Sequence, residues 1–416
     1  MRSAGVRGQG VSDMTDRTKT TILVGLLLFG VLSAYGTGAD TGQGGEEGSG
    51  IAAPRDLSIG AARVLYEAQQ LIDRKDYEKA ARILEGFIEK HPKQDHGYVE
   101  FTLGNALYFA GKKEACLARF QAAVERDPGF GPAWVNLGQV AYDLKRYGLA
   151  AEALAKGFAH AEEKEKNPDL LYYAAVAHIM DNHKERAAPI LEALVSGEHG
   201  DPQKEWFQAL LNVYLDLDLE AKAERLLSRM MVRYGDEPET WRLSYQFEAN
   251  RKNYKMAAVD LTVYSYLKPL TREEAILLGD LYATIEVPLL ACTHYEEAFS
   301  SGASPEQYAR LASAYMAAHR TAEARKTLVE AVKRNPTANL WSLVGDLNCM
   351  EQDFEGAYYA FEESARLDPG DGRAYLMMGY CALQANRKEK AAEALERAKD
   401  FPKQRRMAKQ LLEHVE

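Results

Sequence analysis

The chain has 416 residues, 46% of them hydrophobic and 27% charged, with a formal net charge of −10 and a pI near 5.6. That apolar share excludes a disordered chain, and the acidic balance excludes the broad basic surface through which counterion release drives nucleic-acid binding, so nucleic acid is not an expected partner. The length would suit two or three ordinary domains unless the chain repeats itself, and repetition is therefore the first test.

At the N terminus, Arg17 and Lys19 precede an eleven-residue apolar run, Ile22 to Leu32, and small residues follow at Ala34, Gly36, Gly38 and Ala39. This is the order of a secretory signal, and the run is shorter than the roughly twenty residues a membrane-spanning helix needs. Residues 1–39 are expected to be a cleaved signal, cut after Gly36 or after Ala39, with Met14 an alternative start. The mature protein would be periplasmic with no stable membrane span; the alternative is an uncleaved signal that anchors it in the inner membrane. The first cysteine is Cys116, so neither cut offers an acceptor for lipid. Residues 40–60 are Gly-rich, with Glu46, Glu47, Ser49 and Pro54, and read as a flexible linker.

From residue 61 to residue 402 one unit is copied. Leu103-Gly104 recurs as Leu137-Gly138, 34 residues on, and Val344-Gly345 and Met378-Gly379 are again 34 apart, with Leu278-Gly279 in the same phase. Twelve residues after each glycine comes a small residue, and the register continues as Ala80, Cys116, Ala150, Ala187, Ala223, Ala257, Ala291, Ala324, Ala357 and Ala391. These mark about ten units, in which a small first-helix residue is expected to meet the alanine of the second helix. Pro92, Pro128, Pro269, Pro336 and Pro369 fall where a unit closes. In the middle, Leu211 and Tyr245 take the small position and Pro189 falls inside a second helix, so a change of superhelical pitch is expected between Asn167 and Lys268. Residues 403–416 read as a C-terminal capping helix, with Met407, Leu411 and Leu412 facing the tenth unit and Lys403, Arg405, Arg406, Lys409 and Glu413 in water.

The second unit carries Leu103, Gly104, Leu107, Cys116, Phe120, Ala123 and Pro128, and the ninth Trp341, Gly345, Ala357, Phe361 and Pro369. On these residues the units resemble tetratricopeptide repeats. The resemblance implies an all-α fold, a right-handed α-solenoid of about ten helix-turn-helix units with a C-terminal cap, whose first helices line a concave groove. It assigns to that groove Tyr98, Phe101, Asn105, Tyr108, Phe109, Gln139, Tyr142, Tyr172 and Ile179, an aromatic and neutral set suited to an extended peptide or a partner helix. Asn105 and Asn136 occupy the asparagine positions of the family's carboxylate clamp, but Phe101 and Pro132 stand where its lysines would be, so an amide ladder along peptide backbone is the milder reading. More loosely, the arrangement, including Pro269 to Phe299, is similar to that of exported repeat proteins encoded beside the ExbB, ExbD and TonB energy-transduction proteins.

The remaining candidates for chemistry are weak. His178 and His183 are five apart and do not share a helical face, so no metal site is expected. Cys349 and Cys381 lie on first helices of neighbouring units, whose axes about 8 to 10 Å apart would put them beyond disulfide reach, so the four cysteines are expected to be free thiols. No phosphate loop, zinc-protease motif or nucleophile elbow occurs. The chain is expected to be non-catalytic, to need no cofactor, and to hold a protein or peptide partner as a scaffold or adaptor of the bacterial envelope. The alternatives are a structural assembly factor for surface polymer or pilus export, or an enzyme that uses repeats to choose its substrate.

Overall fold

The computed structural model describes residues 57–299 and 303–415, and the expected signal and most of the expected linker lie outside them. The described residues are all helix and turn, in two compact units, the first ending at Arg233 and the second beginning at Tyr234. In the first unit, α1 (Ile59–Asp73) pairs with α2 (Tyr77–Lys90), α3 (Gly97–Phe109) with α4 (Lys113–Arg126) and α5 (Gly131–Asp143) with α6 (Tyr147–His160). Its last two hairpins are α7 (Asp169–Met180) with α8 (Lys184–Ser196) and α9 (Lys204–Asp216) with α10 (Glu220–Tyr234). The second unit continues with α11 (Pro238–Asn250) and α12 (Tyr254–Leu267), α13 (Arg272–Thr284) and α14 (Pro288–Ala298), and α15 (Pro305–Ala317) and α16 (Thr321–Arg334). It ends with α17 (Ala338–Met350) and α18 (Phe354–Leu367), α19 (Gly372–Gln384) and α20 (Lys388–Lys399), and the single helix α21 (Arg405–Leu412). The described chain is thus ten helix hairpins and one further helix.

All ten small second-helix residues, from Ala80 to Ala391, have no exposed surface at all. What faces the first-helix glycines, however, is not the alanine but a large side chain sixteen residues downstream. A Cβ placed on Gly104 would lie 2.5 Å from the Phe120 ring, one on Gly138 2.7 Å from Leu154, and one on Gly345 2.7 Å from Phe361. Gly279 stands in the same relation to Tyr295, and Gly379 to Leu395. Where the position is alanine (Ala68, Ala175, Ala312), the residue sixteen on is never aromatic but Leu84, Leu191 and Leu328, all buried. One missing methyl makes room for a ring. At Leu211 and Tyr245 both members are large and buried, with Leu227 and Leu261 as the downstream residues, and the hairpins still form.

Each hairpin turns at one residue with left-handed backbone, five positions before the buried small residue. These ten residues have φ between 54° and 77°, and only Gly111 is glycine; the others are Lys75, Lys145, Asn182, Asp218, Lys252, Glu286, His319, Gln352 and Asn386. The hydrogen bonds explain the position. In the first hairpin the Lys75 N–H donates to the Ile72 carbonyl and the Asp76 N–H to the Leu71 carbonyl, both at 2.8 Å, which satisfies carbonyls the helix end would otherwise orphan.

The helix ends follow local chemistry. Ser58 accepts from the Ala61 N–H, so α1 opens at Ile59. Thr271 with Glu274, and Ser304 with Gln307, form reciprocal caps at the starts of α13 and α15. The five hairpin-closing prolines each stand two residues past a second helix. Pro189 lies inside α8 on its exposed face, where it withholds one N–H from the helix ladder. In α21 Ala408 is buried against Leu395 and Ala398, and the partly buried Leu411 and Leu412, with Val415 just past the helix, pack on the same cluster. Met407, expected on that face, is 55% exposed, because a helix rotates it about 100° away from Ala408.

Two stability measurements test this packing. Gly104→Ala and Gly345→Ala should each lower the unfolding free energy by roughly 1–3 kcal/mol in urea titration, since the added methyl meets a ring with no room to retreat; unchanged midpoints would refute the size-matching account. Glu286→Gly, at an exposed left-handed turn, should raise stability by about 1 kcal/mol.

Candidate protein-interaction surface

The expected groove residues sit on α3, α5 and α7, all in the first unit. The structure divides them by depth. Phe101 is core, its ring 5.8 Å from Phe120 and 4.9 Å from Phe130, so it offers no area to a partner. Tyr98, Tyr108, Tyr142, Tyr172 and Ile179 are half-buried, and Phe109 is exposed. Asn105, Asn136 and Gln139 lie beneath the rings, nearly fully buried.

The rings are braced by neighbours that sequence reading did not single out. Tyr77, the first residue of α2, stacks on Phe109 at 5.2 Å, Tyr147 meets Tyr142 at 5.3 Å, Tyr173 meets Tyr172 at 5.6 Å, and Phe130 stacks on Tyr98 at 5.8 Å. The signal was available: Tyr77 and Tyr147 both open second helices, two residues past a left-handed turn. At the edge of this face, Lys113 Nζ bonds Asp143 Oδ2 at 2.8 Å, joining the second and third hairpins.

The amides form an inward layer rather than an outward ladder. Asn136 Nδ2 donates to Asn105 Oδ1 at 2.9 Å, and the Gln139 side chain lies beside the Tyr108 hydroxyl. The pairing follows from the repeat: both asparagines point into the gap between successive first helices, where each is the other's nearest polar partner. Asn136 Oδ1 and Gln139 Oε1 are buried acceptors with no partner among the described residues, a condition that costs about 1–3 kcal/mol for each such group. Burial pushes the hydroxyls of Tyr98, Tyr108 and Tyr142 above the ordinary tyrosine value and Tyr172 up to about 12. The tyrosines therefore stay neutral at physiological pH and keep their O–H donors.

Elsewhere, His183 Nδ1 lies 2.9 Å from Asp181 Oδ2, while burial first, and then Arg186, hold His178 below the ordinary histidine value. Among the described residues no three His, Cys, Asp or Glu side chains gather as a metal site, and no helix is long and apolar enough to cross a membrane. The expected separation of Cys349 and Cys381 is corrected: their sulfurs are 3.2 Å apart. Helix-axis spacing overstated the gap because both side chains enter it from opposite sides.

Family profiles described as tetratricopeptide repeat match residues 61–93, 101–162, 310–372 and 350–414. The chain carries tetratricopeptide repeats. The matched stretches include the second and third hairpins, which supply most of the aromatic face. Repeats of this kind stack into extended surfaces for protein–protein contact. No curated protein matches the chain. Similar solved structures include that of MamA protein, 20% identical over 40% of this chain and 92% of that one with a TM-score of 0.36. Another is YrrB, described as a TPR protein with an unusual peptide-binding site, 17% identical over 44% of this chain and 96% of that one with a TM-score of 0.36. Yeast Tom70 is 13% identical over 85% of this chain and 95% of its own, with a TM-score of 0.34.

The amide pair links neighbouring repeats. A double-mutant cycle on Asn105→Ala and Asn136→Ala, read by urea denaturation, should return a coupling of about 1 kcal/mol; additive single losses would mean the bond contributes nothing.

Proposed function

We propose that the chain is a non-catalytic scaffold or adaptor that holds an extended segment of a partner protein against the first-helix face of its second to fourth repeats. The observation that carries this reading is the row of half-buried, neutral tyrosines, Tyr98, Tyr108, Tyr142 and Tyr172, set over buried amides. Tyrosines give contact area with few rotamers to freeze, which is why they dominate binding hot spots. Asn136 Oδ1 and Gln139 Oε1 are buried beneath the rings, so these amides form the floor of the surface and the tyrosines its contact area. Phe101 belongs to the support of this surface, not to its contact area.

The signal-like N terminus supports work in the bacterial envelope, in the periplasm after cleavage, and a place beside a TonB-type energy-transduction system is the narrower form of the proposal. The alternative is a membrane-retained assembly factor for surface polymer or pilus export. Cell fractionation separates them: processed, soluble protein fits the adaptor, and full-length protein in the membrane fraction fits the assembly factor.

The groove is tested with Tyr108→Ala and Tyr142→Ala combined, compared with wild type for capture of partners from envelope extract. Capture should fall roughly tenfold or more while helicity is kept, since truncating a hot-spot tyrosine typically removes more than about 1 kcal/mol. Equal capture by a folded double variant would place the binding surface elsewhere.

A further inference from the structure

Cys349 stands near the end of α17 and Cys381 in the last turn of α19, the first helices of the ninth and tenth hairpins. Counted from the first-helix glycines, they are four residues past Gly345 and two past Gly379. In the second and third hairpins the same two positions hold Tyr108 and Val140, so this is an ordinary packing contact between successive first helices, with sulfur on both sides in this one place. Their Sγ atoms are 3.2 Å apart across 32 residues of chain. A disulfide needs about 2.0 Å, so the sulfurs must close by only about 1.2 Å, within reach of a small rotation of two side chains.

We propose that Cys349 and Cys381 form a reversible disulfide that staples the ninth repeat to the tenth, with Cys349 as the attacking thiol and Cys381 as the resolving one.

The two cysteines differ in the ways the roles require. Cys349 is partly exposed, whereas Cys381 has no exposed surface. The contact with Cys381 holds the Cys349 thiol below its ordinary value, against the opposing effects of burial and Asp346, and Arg373 acts in the same direction. That contact and burial push Cys381 up. Arg373 is itself fixed, bonding Ser342 Oγ at 2.7 Å and Asp346 Oδ1 at 2.5 Å. The other two cysteines, Cys116 and Cys292, are fully buried, with burial pushing Cys116 up to about 12 and Cys292 upward.

The oxidant is a small-molecule disulfide such as oxidised glutathione. The Cys349 thiolate attacks one sulfur of that disulfide, a mixed disulfide forms, and one glutathione thiolate leaves. Cys381 then loses its proton, attacks Sγ of Cys349 and expels the second glutathione thiolate. The protons from the two cysteines end on the two released glutathiones, so two protein thiols are oxidised as one disulfide is reduced. The product adds a covalent tie between helices otherwise held by packing and by the Arg373 contacts with Ser342 and Asp346, so the C-terminal repeat can no longer peel away from its neighbour.

The test uses the full chain, reduced, desalted and treated with oxidised glutathione, then alkylated and digested with trypsin without reductant. Arg366 and Arg373 lie between the two cysteines, so trypsin releases them on separate peptides unless they are bonded. The expected result is a Cys349–Cys381 cross-linked peptide, lost on reduction, with Cys116 and Cys292 alkylated and reacting at least about tenfold more slowly. Cys381→Ala should trap one glutathione on Cys349, and Cys349→Ser should leave Cys381 reduced, with helicity measured for both. Four alkylated thiols in the treated wild type, or a cross-link through Cys116 or Cys292, would overturn the proposal. Rapid glutathione attachment to Cys381 in Cys349→Ser would overturn the order of attack.

Discussion

Two antiparallel helices joined by three residues approach closely where one of them gives up volume, and in five of the ten hairpins that place is the contact between a first-helix glycine and a ring or leucine sixteen residues downstream. The packing of those hairpins follows from it. The approach it permits buries the second-helix alanine completely, and that in turn leaves a flat flank on which the next hairpin packs. The hydrophobic clusters accordingly run through successive hairpins, as from Ala61 to Ala177. The left-handed turn is a second constraint of the same kind. A residue such as Lys145 or Glu286 accepts an unfavourable φ because the two carbonyl bonds it completes end the helix at the only length that brings the glycine and its partner level.

Much of this was legible in the residues. Small residues at 34-residue spacing announced the hairpins, and the alanine register located every second helix. The identity of the facing side chain was not legible, because spacing reveals that a position must be small without revealing what it must accommodate. Nor were the turns, since nine of the ten left-handed residues are not glycine and carry no compositional mark. Met407 was misplaced because an apolar side chain in a short amphipathic helix was assumed to be buried, whereas the stripe is set by Ala408, the smaller neighbour.

At the aromatic face, sequence reading found the right helices and the wrong depth. Phe101 and the three amides were grouped with the tyrosines because the repeat pattern assigns them to one face, but a face of closely stacked helices has an upper and a lower layer. Asn105 and Asn136 reach each other only because their hairpins are neighbours, a relation that position within one repeat cannot express. The same limit applies to Cys349 and Cys381, which occupy different positions of their repeats and meet only across the seam.

The size matching inside each hairpin also bears on how such an array can be copied. A duplication or recombination whose ends fall between hairpins carries each glycine together with its own ring, and the new seam joins surfaces that were already alike. One whose end falls at a turn would pair a first helix with a foreign second helix, such as Ala68 with Phe120, and set a methyl against a ring that needs the space. The units of exchange over evolutionary time should therefore be whole hairpins, with their lengths free to drift only in the segments between them.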